Sequence, residues 1–190
     1  MKLKDFGFTD GINEVIGITF KSDQVNTAPL GIIVDDDESD RARVKLYTSH
    51  TRENIEREGI LYTNVILDPI VFSISAFEDL DSKFFDSLNP PIIKNALSWC
   101  KFSAKLTGAF AELTLLDGQI CGKIVRAYNR GFAALIEALI YATRYKIVED
   151  KAKEFIENEI YRCKNIVMRC GSRREKMAFK ILEEKLGVNF

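Results

Sequence analysis

The spacing of apolar residues changes once along this chain, near Asn129, and that change constrains the fold more than any other feature. After Asn129, apolar residues recur at intervals of three and four, on a stripe formed by Phe132, Leu135, Ile136, Leu139, Ile140 and Thr143. Before it, apolar and polar residues alternate, as is typical of strands. The sequence therefore predicts an α+β protein, with a β domain over residues 1–128 and a helical module over residues 129–190.

Three helices are predicted in the module, and the first has Asn129 in position to cap it. The second, residues 151–169, is amphipathic through Phe155, Ile156, Ile160, Cys163 and Val167. The third begins at a capping box formed by Ser172 and Glu175 and ends at Gly187. Seven helical residues separate Cys163 from Cys170 by about 10 Å, too far for a disulfide, so we interpret both as packing residues.

About six strands, mostly antiparallel, are predicted in the β domain. The alternating pattern indicates a strand starting near Gly11, strands over residues 28–34, 43–49 and 60–67, and a return of β structure from Trp99. Residues 22–27 are interpreted as a polar loop. Pro29 is expected at a strand start or at a sheet edge, because proline cannot donate to a ladder.

The strongest hairpin signal is Asp117-Gly118, which fits a tight turn between strands at residues 113–116 and 119–127. The acidic run at residues 35–40 lacks the spacing of a calcium loop and is expected to be a solvated hairpin loop. Residues 70–91 mix phenylalanines with acidic residues, and Asn89-Pro90-Pro91 breaks any regular element. We interpret this stretch as a connector with one or two short helical turns.

Composition and charge limit the kinds of protein to consider. A net charge of −1 over 190 residues gives no reason to expect nucleic acid as a partner. The start lacks an apolar core of secretory length, and Glu137 interrupts the longest apolar run, so neither a leader nor a membrane span is expected. The four cysteines show no CxxC pair and no metal-ligand spacing. We therefore expect reduced, mostly buried thiols in a cytoplasmic protein and no metal site.

Polar residues between 45 and 59 suggest a phosphate site. Lys45 lies on a strand, and Ser49 and Thr51 stand where a helix over residues 52–58 is predicted to begin, with Gly59 as its stop. The first amides of a helix have no internal partner and form the positive end of its dipole, which favours an anion. The same residues also fit a simpler interpretation, in which Thr51 only caps the helix.

No pattern identifies a catalytic group. His50 is the single histidine, and no cysteine or GxSxG serine is placed for it; P-loop and GxGxxG motifs are also missing from the sequence. Asn64 shares an apolar strand face with Ile60, Tyr62 and Ile66, so its amide needs a partner from the backbone or from a ligand. By elimination, chemistry in this protein is expected from a bound cofactor.

The order of several segments resembles the FMN-binding split-barrel proteins. More closely, the chain resembles a little-characterised, mainly archaeal family that joins a split barrel to a C-terminal helical module. The segments that carry the resemblance are INEVIGIT, NTAPLG, KLYTSHTRENI, YTNVILDP and NRGFAALIEALIYATR. The resemblance implies a split β-barrel that binds FMN, followed by a module of three helices.

The resemblance also implies a set of cofactor-binding residues. The flavin phosphate of such barrels lies near the strand-to-helix turn, which implies Ser49, Thr51 and Asn54, with Lys45 nearby. His50 is included in this group, although His50 and Arg52 depart from the family pattern of an Arg or Lys followed by an aromatic residue. The isoalloxazine ring lies along the strand of the NTAPLG segment, which implies backbone contacts from Thr27, Ala28, Pro29 and Leu30, with Asn64 at the rim.

Two kinds of function are compatible with this resemblance. One is an FMN-dependent oxidoreductase that acts on an unidentified small substrate, and the other is a non-catalytic flavin carrier or interaction protein. A split barrel that uses deazaflavin or pyridoxal phosphate is a further alternative. The fold alone does not choose among them, and no catalytic residue is assigned.

We predict that the protein is a homodimer at micromolar concentration. The resemblance implies a dimer with the flavin near the subunit interface, and Phe72, Phe77, Phe84 and Phe85 exceed what one small barrel needs for its core. Light scattering should give twice the mass of one chain. A measured mass of 21.6 kDa, that of a single chain, would contradict the prediction.

Overall fold

The computed structural model describes residues 1–22, 24–123 and 129–190, with the backbone alone at 150 and 151. This part of the chain forms two compact units. One consists of Met1–Leu67 and the described part of Asp79–Ile124, and the other of Asp68–Glu78 and the described part of Val125–Phe190. The first unit is mostly β and the second is helical, so the α+β class is confirmed.

The described residues contain eight strands and five α-helices. The strands are β1 Gly11–Lys21, β2 Gln24–Val34, β3 Arg41–Lys45, β4 Ile60–Val65, β5 Phe85–Leu88, β6 Pro91–Ile93, β7 Ser98–Thr107 and β8 Phe110–Ile120. The helices are α1 His50–Glu58, α2 Pro69–Ser75, α3 Arg130–Tyr145, α4 Asp150–Cys170 and α5 Arg173–Leu186. Six of the strands form a closed antiparallel barrel in the order β1-β2-β3-β8-β7-β4, and β5 pairs only with β6.

The barrel interior is apolar in the middle and closed at both ends. Facing residues such as Val15 and Leu30 alternate inward along paired strands and build one core. Leu3, Phe6 and Phe8 fill the end where β7 begins, and the Ser98 hydroxyl donates to the Phe6 carbonyl at 2.6 Å. Helix α1 covers the opposite end and contributes Ile55, which is 1% exposed.

The predicted hairpin at Asp117-Gly118 is wrong. Both residues lie inside β8, and the turn of the β7–β8 hairpin falls at 108–109, where Gly108 has a positive φ of 60°. The pairing shifts register here: Lys101 faces Asp117, whereas Phe102 faces Leu115, as at a β-bulge. A Cβ at Gly118 would lie 2.8 Å from Phe6 Cε1, so this glycine permits close packing. The strand predicted over residues 119–127 lies outside the described residues from 124 onwards.

Strand β2 begins earlier than the sequence suggested. Gln24 already pairs with Lys21, so residues 24–27 belong to the strand and not to a polar loop. Pro29 lies in the middle of β2, opposite Ile16. Strand β3 pairs with β2 only at Ile32 and Ile33, so the outer side of β2 near Pro29 is an edge, as the missing amide requires.

The connector is more ordered than expected. Residues 69–75 form α2, and β5 and β6 form a short hairpin whose turn contains a cis Asn89-Pro90 peptide bond. Phe72 is 2% exposed and packs edge-to-face on Phe132 in the helical unit, with 6.0 Å between ring centroids. Phe85 is 7% exposed. Of the four phenylalanines on which the dimer prediction partly rests, Phe72 and Phe85 are thus buried within one chain, whereas Phe77 and Phe84 are half-buried.

The helical unit contains four helices in its described residues, not three, because α2 joins α3, α4 and α5. The predicted capping signals are confirmed: Asn129 accepts from the amides of Gly131 and Phe132, Ser172 and Glu175 form a capping box, and Gly187 ends α5 with a φ of 73°. Asp68 caps α2 and pairs with Arg174 of α5 at 2.5 Å. In the part of the chain that the structure describes, no helix has the length and apolar character of a membrane span.

The cysteines differ in burial. All four are free thiols; Cys100 and Cys163 are buried, Cys170 is half-buried and Cys121 is exposed. Cys163 packs in the helical unit as expected, whereas "mostly buried" describes only two of the four. Burial raises the pKa of the Cys100 thiol to about 12, so this thiol stays protonated at neutral pH.

The acidic loop between β2 and β3 holds the N-terminal segment in place. Lys2 and Lys4 both donate to the carboxylate of Glu38, and these hydrogen bonds lower its pKa to about 2. The amides of Leu3 and Lys4 donate to the carbonyls of Ser39 and Asp37, each at 3.0 Å. The acidic loop therefore holds, through hydrogen bonds, the N-terminal segment that closes one end of the barrel.

Asn64 holds the β5–β6 hairpin against the outer face of β4. Its side chain is 0% exposed, its Nδ2 donates to the Pro91 carbonyl at 3.0 Å, and its Oδ1 accepts from the Ile93 amide at 2.7 Å. Both ends of the amide are therefore satisfied by backbone, and Asn64 does not lie at the rim of an open site.

We expect Asn64→Ala to lower the free energy of unfolding by about 2 to 4 kcal/mol, because it leaves a buried N–H and a buried carbonyl unpaired. Asn13→Ala is the matched control, since Asn13 also bonds backbone at both ends, to Thr9, but nearer the surface. Asn13→Ala should lower the free energy of unfolding by about 1 kcal/mol or less. Urea denaturation measures both values, and equal small losses would argue against a structural role for Asn64.

Candidate functional site

Helix α1 begins directly after an exposed loop. Ser49 is the N-cap in extended conformation, and its Oγ accepts from the Arg52 amide at 3.3 Å and donates to the Tyr47 carbonyl at 3.2 Å. Helix α1 begins at His50, two residues before the predicted start, and Gly59 ends it with a φ of 65°. The cap is therefore Ser49, and the interpretation of Thr51 as the cap is wrong.

Several groups that favour an anion are accessible at this helix start. Lys45, Tyr47, Ser49 and His50 are all exposed, and the Lys45 ammonium lies 5.4 Å from the centre of the Tyr47 ring. Ser49 already serves the amides of Arg52 and Glu53, so the two preceding helical amides, at His50 and Thr51, are the ones left for a ligand. Glu53 is the acidic residue of the first turn. Backbone amides, a hydroxyl and an ammonium are groups that bind phosphate, and this segment offers all three kinds.

Two predicted phosphate ligands face the barrel interior instead. Thr51 is 4% exposed and its hydroxyl donates to Asn26 Oδ1 at 3.1 Å. Asn54 is 2% exposed; its Nδ2 donates to Thr19 Oγ1 at 3.0 Å, and its Oδ1 accepts from Arg57 at 3.1 Å. These side chains fasten α1 to the barrel, so in this structure they are directed away from the exposed loop.

Asn26 is the centre of this polar network. Its Oδ1 accepts from the hydroxyls of Thr19 and Thr51, each at 3.1 Å, and its Nδ2 donates to Asp79 at 3.0 Å. Thr19 is 2% exposed, so its hydroxyl depends on these partners. The barrel end beneath α1 is therefore polar but internally satisfied.

The residues predicted to carry the flavin ring lie on the open edge of β2. Thr27 is 3% exposed, its amide donates to Asp79 Oδ1 at 2.7 Å, and its Oγ1 accepts from the Leu80 amide at 2.9 Å. Since the Thr27 amide points away from β1, the backbone groups of Pro29 and Gly31 also face this edge. The side chains of Ala28 and Leu30 point to the face of β2 opposite to those of Thr27 and Pro29, and the Leu30 side chain packs over Gly17.

A groove of about 440 Å³ lies beside the start of β2, at Gln24 and Val25, and its lining includes Asp79 and Leu80, the two residues that bond to Thr27. Its described lining includes apolar side chains, the amide of Gln24, the hydroxyl of Ser82 and the carboxylate of Asp79, and it includes no lysine or arginine. The apolar side chains are Val25, Leu80, Phe85 and Leu88. The groove is suited to a small molecule that carries no negative charge.

The structure thus brings eight of the ten predicted site residues to two segments. Thr27, Ala28, Pro29 and Leu30 lie on β2, whereas Ser49, His50, Thr51 and Asn54 lie on α1 and its cap. Lys45 ends the strand that leads to α1, and Asn64 is committed to the β5–β6 hairpin. Described residues in these segments form no cluster that could hold a metal ion.

Sequence reasoning missed Thr19, Asn26 and Asp79. Asn26 belongs to the NTAPLG segment, and Thr19 interrupts the apolar run of β1, so a signal existed for both. Asp79 lies more than fifty residues from its partners, and only the folded topology brings it to them.

Two family models match the chain. "Protein of unknown function (DUF447) N-terminal domain" matches residues 13–121, and "Protein of unknown function (DUF447)" matches residues 129–184. An uncharacterized protein of Methanocaldococcus jannaschii is 27% identical over 197 residues, covering 93% of this chain and 99% of the relative.

Solved structures also resemble the chain. The crystal structure of an FMN-bound protein from Methanosarcina mazei, assigned to the same family, has a TM-score of 0.84 and 33% identity, over 96% of this chain and 99% of that one. An FMN-binding protein from Thermus thermophilus matches at a TM-score of 0.46 and 10% identity, over 60% of this chain and 74% of that one. A similarity this low supports no conclusion about fold or function. The resemblance to the archaeal split-barrel family is confirmed.

Proposed function

The chain belongs to the DUF447 family, and we propose that it binds FMN and uses it as an oxidoreductase on a small substrate. One observation carries this proposal: the same compact unit contains an exposed helix start with anion-binding groups and a strand edge that no described strand covers. The FMN-bound state of the Methanosarcina mazei protein, which aligns over almost the whole chain, supports the choice of cofactor.

The phosphate is assigned to the exposed loop before α1. The donors we assign are the amides of His50 and Thr51, the Lys45 ammonium and the Ser49 hydroxyl, which would exchange the Tyr47 carbonyl for the phosphate. Oriented amides at a helix start bind a phosphate without a dedicated loop motif, which accounts for the missing P-loop. Thr51 and Asn54 act behind this loop by holding α1 in place.

The isoalloxazine ring is assigned to the edge of β2 from Thr27 to Gly31. The pyrimidine part of a flavin has an imide N–H between two carbonyls. A strand edge offers both carbonyls and amides, so it can pair with part of this pattern. At this edge the Pro29 carbonyl can accept from the imide N–H and the Gly31 amide can donate to one flavin carbonyl, whereas the Thr27 amide is bonded to Asp79.

The bound flavin would supply the redox chemistry, and this chain's residues would supply binding, orientation and access. The groove next to the β2 edge is the route we assign to the small substrate. The homodimer expected from the resemblance is part of the same proposal, and light scattering tests it.

FMN should bind more tightly than riboflavin, because only FMN carries the phosphate. Lys45→Ala and Ser49→Ala should each weaken FMN by about 1 to 2 kcal/mol, roughly 5- to 30-fold, and leave riboflavin nearly unchanged. Titration of flavin fluorescence measures all of these affinities.

Lys180→Ala is the control, since it removes an exposed lysine from α5 in the helical unit. It should change neither affinity. Equal binding of FMN and riboflavin by the wild-type protein would remove the phosphate assignment.

We expect NADH and NADPH to reduce the bound FMN slowly or not at all. The groove presents the Asp79 carboxylate and no described cation, so nothing there balances the negative charge of a dinucleotide. Stopped-flow mixing, followed at the flavin absorbance, tests this, and dithionite serves as the control that the flavin is reducible. Bleaching within milliseconds followed by fast reoxidation would instead identify a flavin reductase.

A further inference from the structure

We propose that Asn26 and Asp79 are positioning residues that hold the two halves of the flavin site, the edge of β2 and the start of α1, at a fixed spacing. This inference rests on the proposed FMN function. It assigns to two polar side chains, neither of which is a predicted ligand, the task of aligning the ring segment with the phosphate segment.

The first step is the connection between β2 and α1. Asn26 immediately precedes Thr27, the first residue of the ring segment, and its Oδ1 accepts from Thr51, the second residue of α1, at 3.1 Å. The other described side-chain hydrogen bonds of α1 to the barrel reach β1, from Asn54 to Thr19 and from Arg57 to the Phe20 carbonyl, and the β7–β8 turn, from Arg52 to the Gly108 carbonyl. The direct link from α1 to β2 therefore runs through Asn26.

The second step is the support of Asn26 itself. An asparagine amide can flip, and a threonine hydroxyl pairs with either of its ends, so Oδ1 is held toward Thr51 by a partner of Nδ2 that can only accept. Asp79 supplies that partner: its Oδ1 accepts from Asn26 Nδ2 at 3.0 Å and from the Thr27 amide at 2.7 Å. One carboxylate thus fixes the orientation of the Asn26 side chain and the backbone of the next residue.

The third step is the consequence for ligand choice. FMN has to reach both segments at once, whereas riboflavin uses only the ring segment. If the spacing is lost, the phosphate no longer meets its donors and FMN binds like riboflavin. A side chain that only stabilised the barrel would lower the melting temperature and leave the ratio of the two affinities unchanged.

The experiment measures FMN and riboflavin affinities by fluorescence titration, with a melting temperature for each variant. Asn26→Ala should reduce the preference for FMN by about tenfold, the effect of one lost hydrogen bond of ordinary strength. Asp79→Ala should do the same, and Asp79→Asn, which keeps an acceptor, should fall between Asp79→Ala and wild type. Asn13→Ala, at the other end of β1, is the control and should keep the wild-type ratio.

An exchange of groups tests the pair directly. Asn26→Asp places a second carboxylate against Asp79 and should abolish the preference for FMN. Adding Asp79→Asn removes one of the two negative charges and offers a donor to the new carboxylate, so the double variant should regain part of the preference. The recovery should be incomplete, because one atom of residue 79 can no longer pair with both residue 26 and the Thr27 amide. In case the Asn26 variants do not fold, Thr51→Val and Thr51→Ser test the same link, and only the serine should keep the preference.

The outcomes separate the two proposals. A wild-type protein without preference for FMN overturns the proposed function and this inference with it. A wild-type preference that survives Asn26→Ala, or survives Thr51→Val, overturns this inference alone, as does a double variant no better than Asn26→Asp.

Discussion

The polar end of the barrel beneath α1 is the constraint on which the site depends. Thr19, Thr51 and Asn54 are almost completely buried there, and an unpaired polar atom at such a place costs free energy comparable to a lost hydrogen bond. Asn26 accepts from two of them, so α1 has one favourable position on the barrel and its exposed first turn has one position relative to β2. These buried hydrogen bonds thus link the start of α1 to β2.

Local signals predicted the parts of the fold that local interactions determine. The caps at Asn129, Ser172 and Gly187 and the stop at Gly59 satisfy backbone groups within a few residues, so the sequence displays them directly. Asp117-Gly118 failed as a turn signal because the glycine is needed inside a strand, where both residues pair regularly with β7. A Cβ at Gly118 would lie 2.8 Å from Phe6 Cε1 and 2.9 Å from the Trp99 carbonyl, and only the folded topology brings Phe6, more than a hundred residues away, to this position. The β5–β6 hairpin was missed because strands of three and four residues carry almost no periodic pattern.

The candidate site was predictable in kind and only partly in its residues. Hydroxyls and a lysine beside a helix start indicate an anion, but residue type does not tell which side chain faces solvent. The helical spacing did contain that information: Thr51, Asn54 and Ile55 lie three and four residues apart, on the face that the apolar Ile55 directs inward. Ser49 and His50, at the first positions, remain exposed. No local pattern could have supplied Asp79, since its role exists only once residues 26 and 27 have been brought to it.

These contacts give the exposed and the buried polar groups different roles. A ligand that touches two separate segments binds tightly only if their relative position is set before it arrives, because any ordering that remains is subtracted from the affinity. Exposed side chains such as Lys45 and Ser49 cannot set that position, as water competes for their hydrogen bonds. The half-buried Asn26 can set that position, because its partners lie on β1, α1 and the connector. The threonine hydroxyls that it pairs with are buried, so water does not compete for these hydrogen bonds. The specificity of such a site for a phosphorylated ligand therefore depends as much on the hydrogen bonds inside the barrel as on the groups that contact the phosphate.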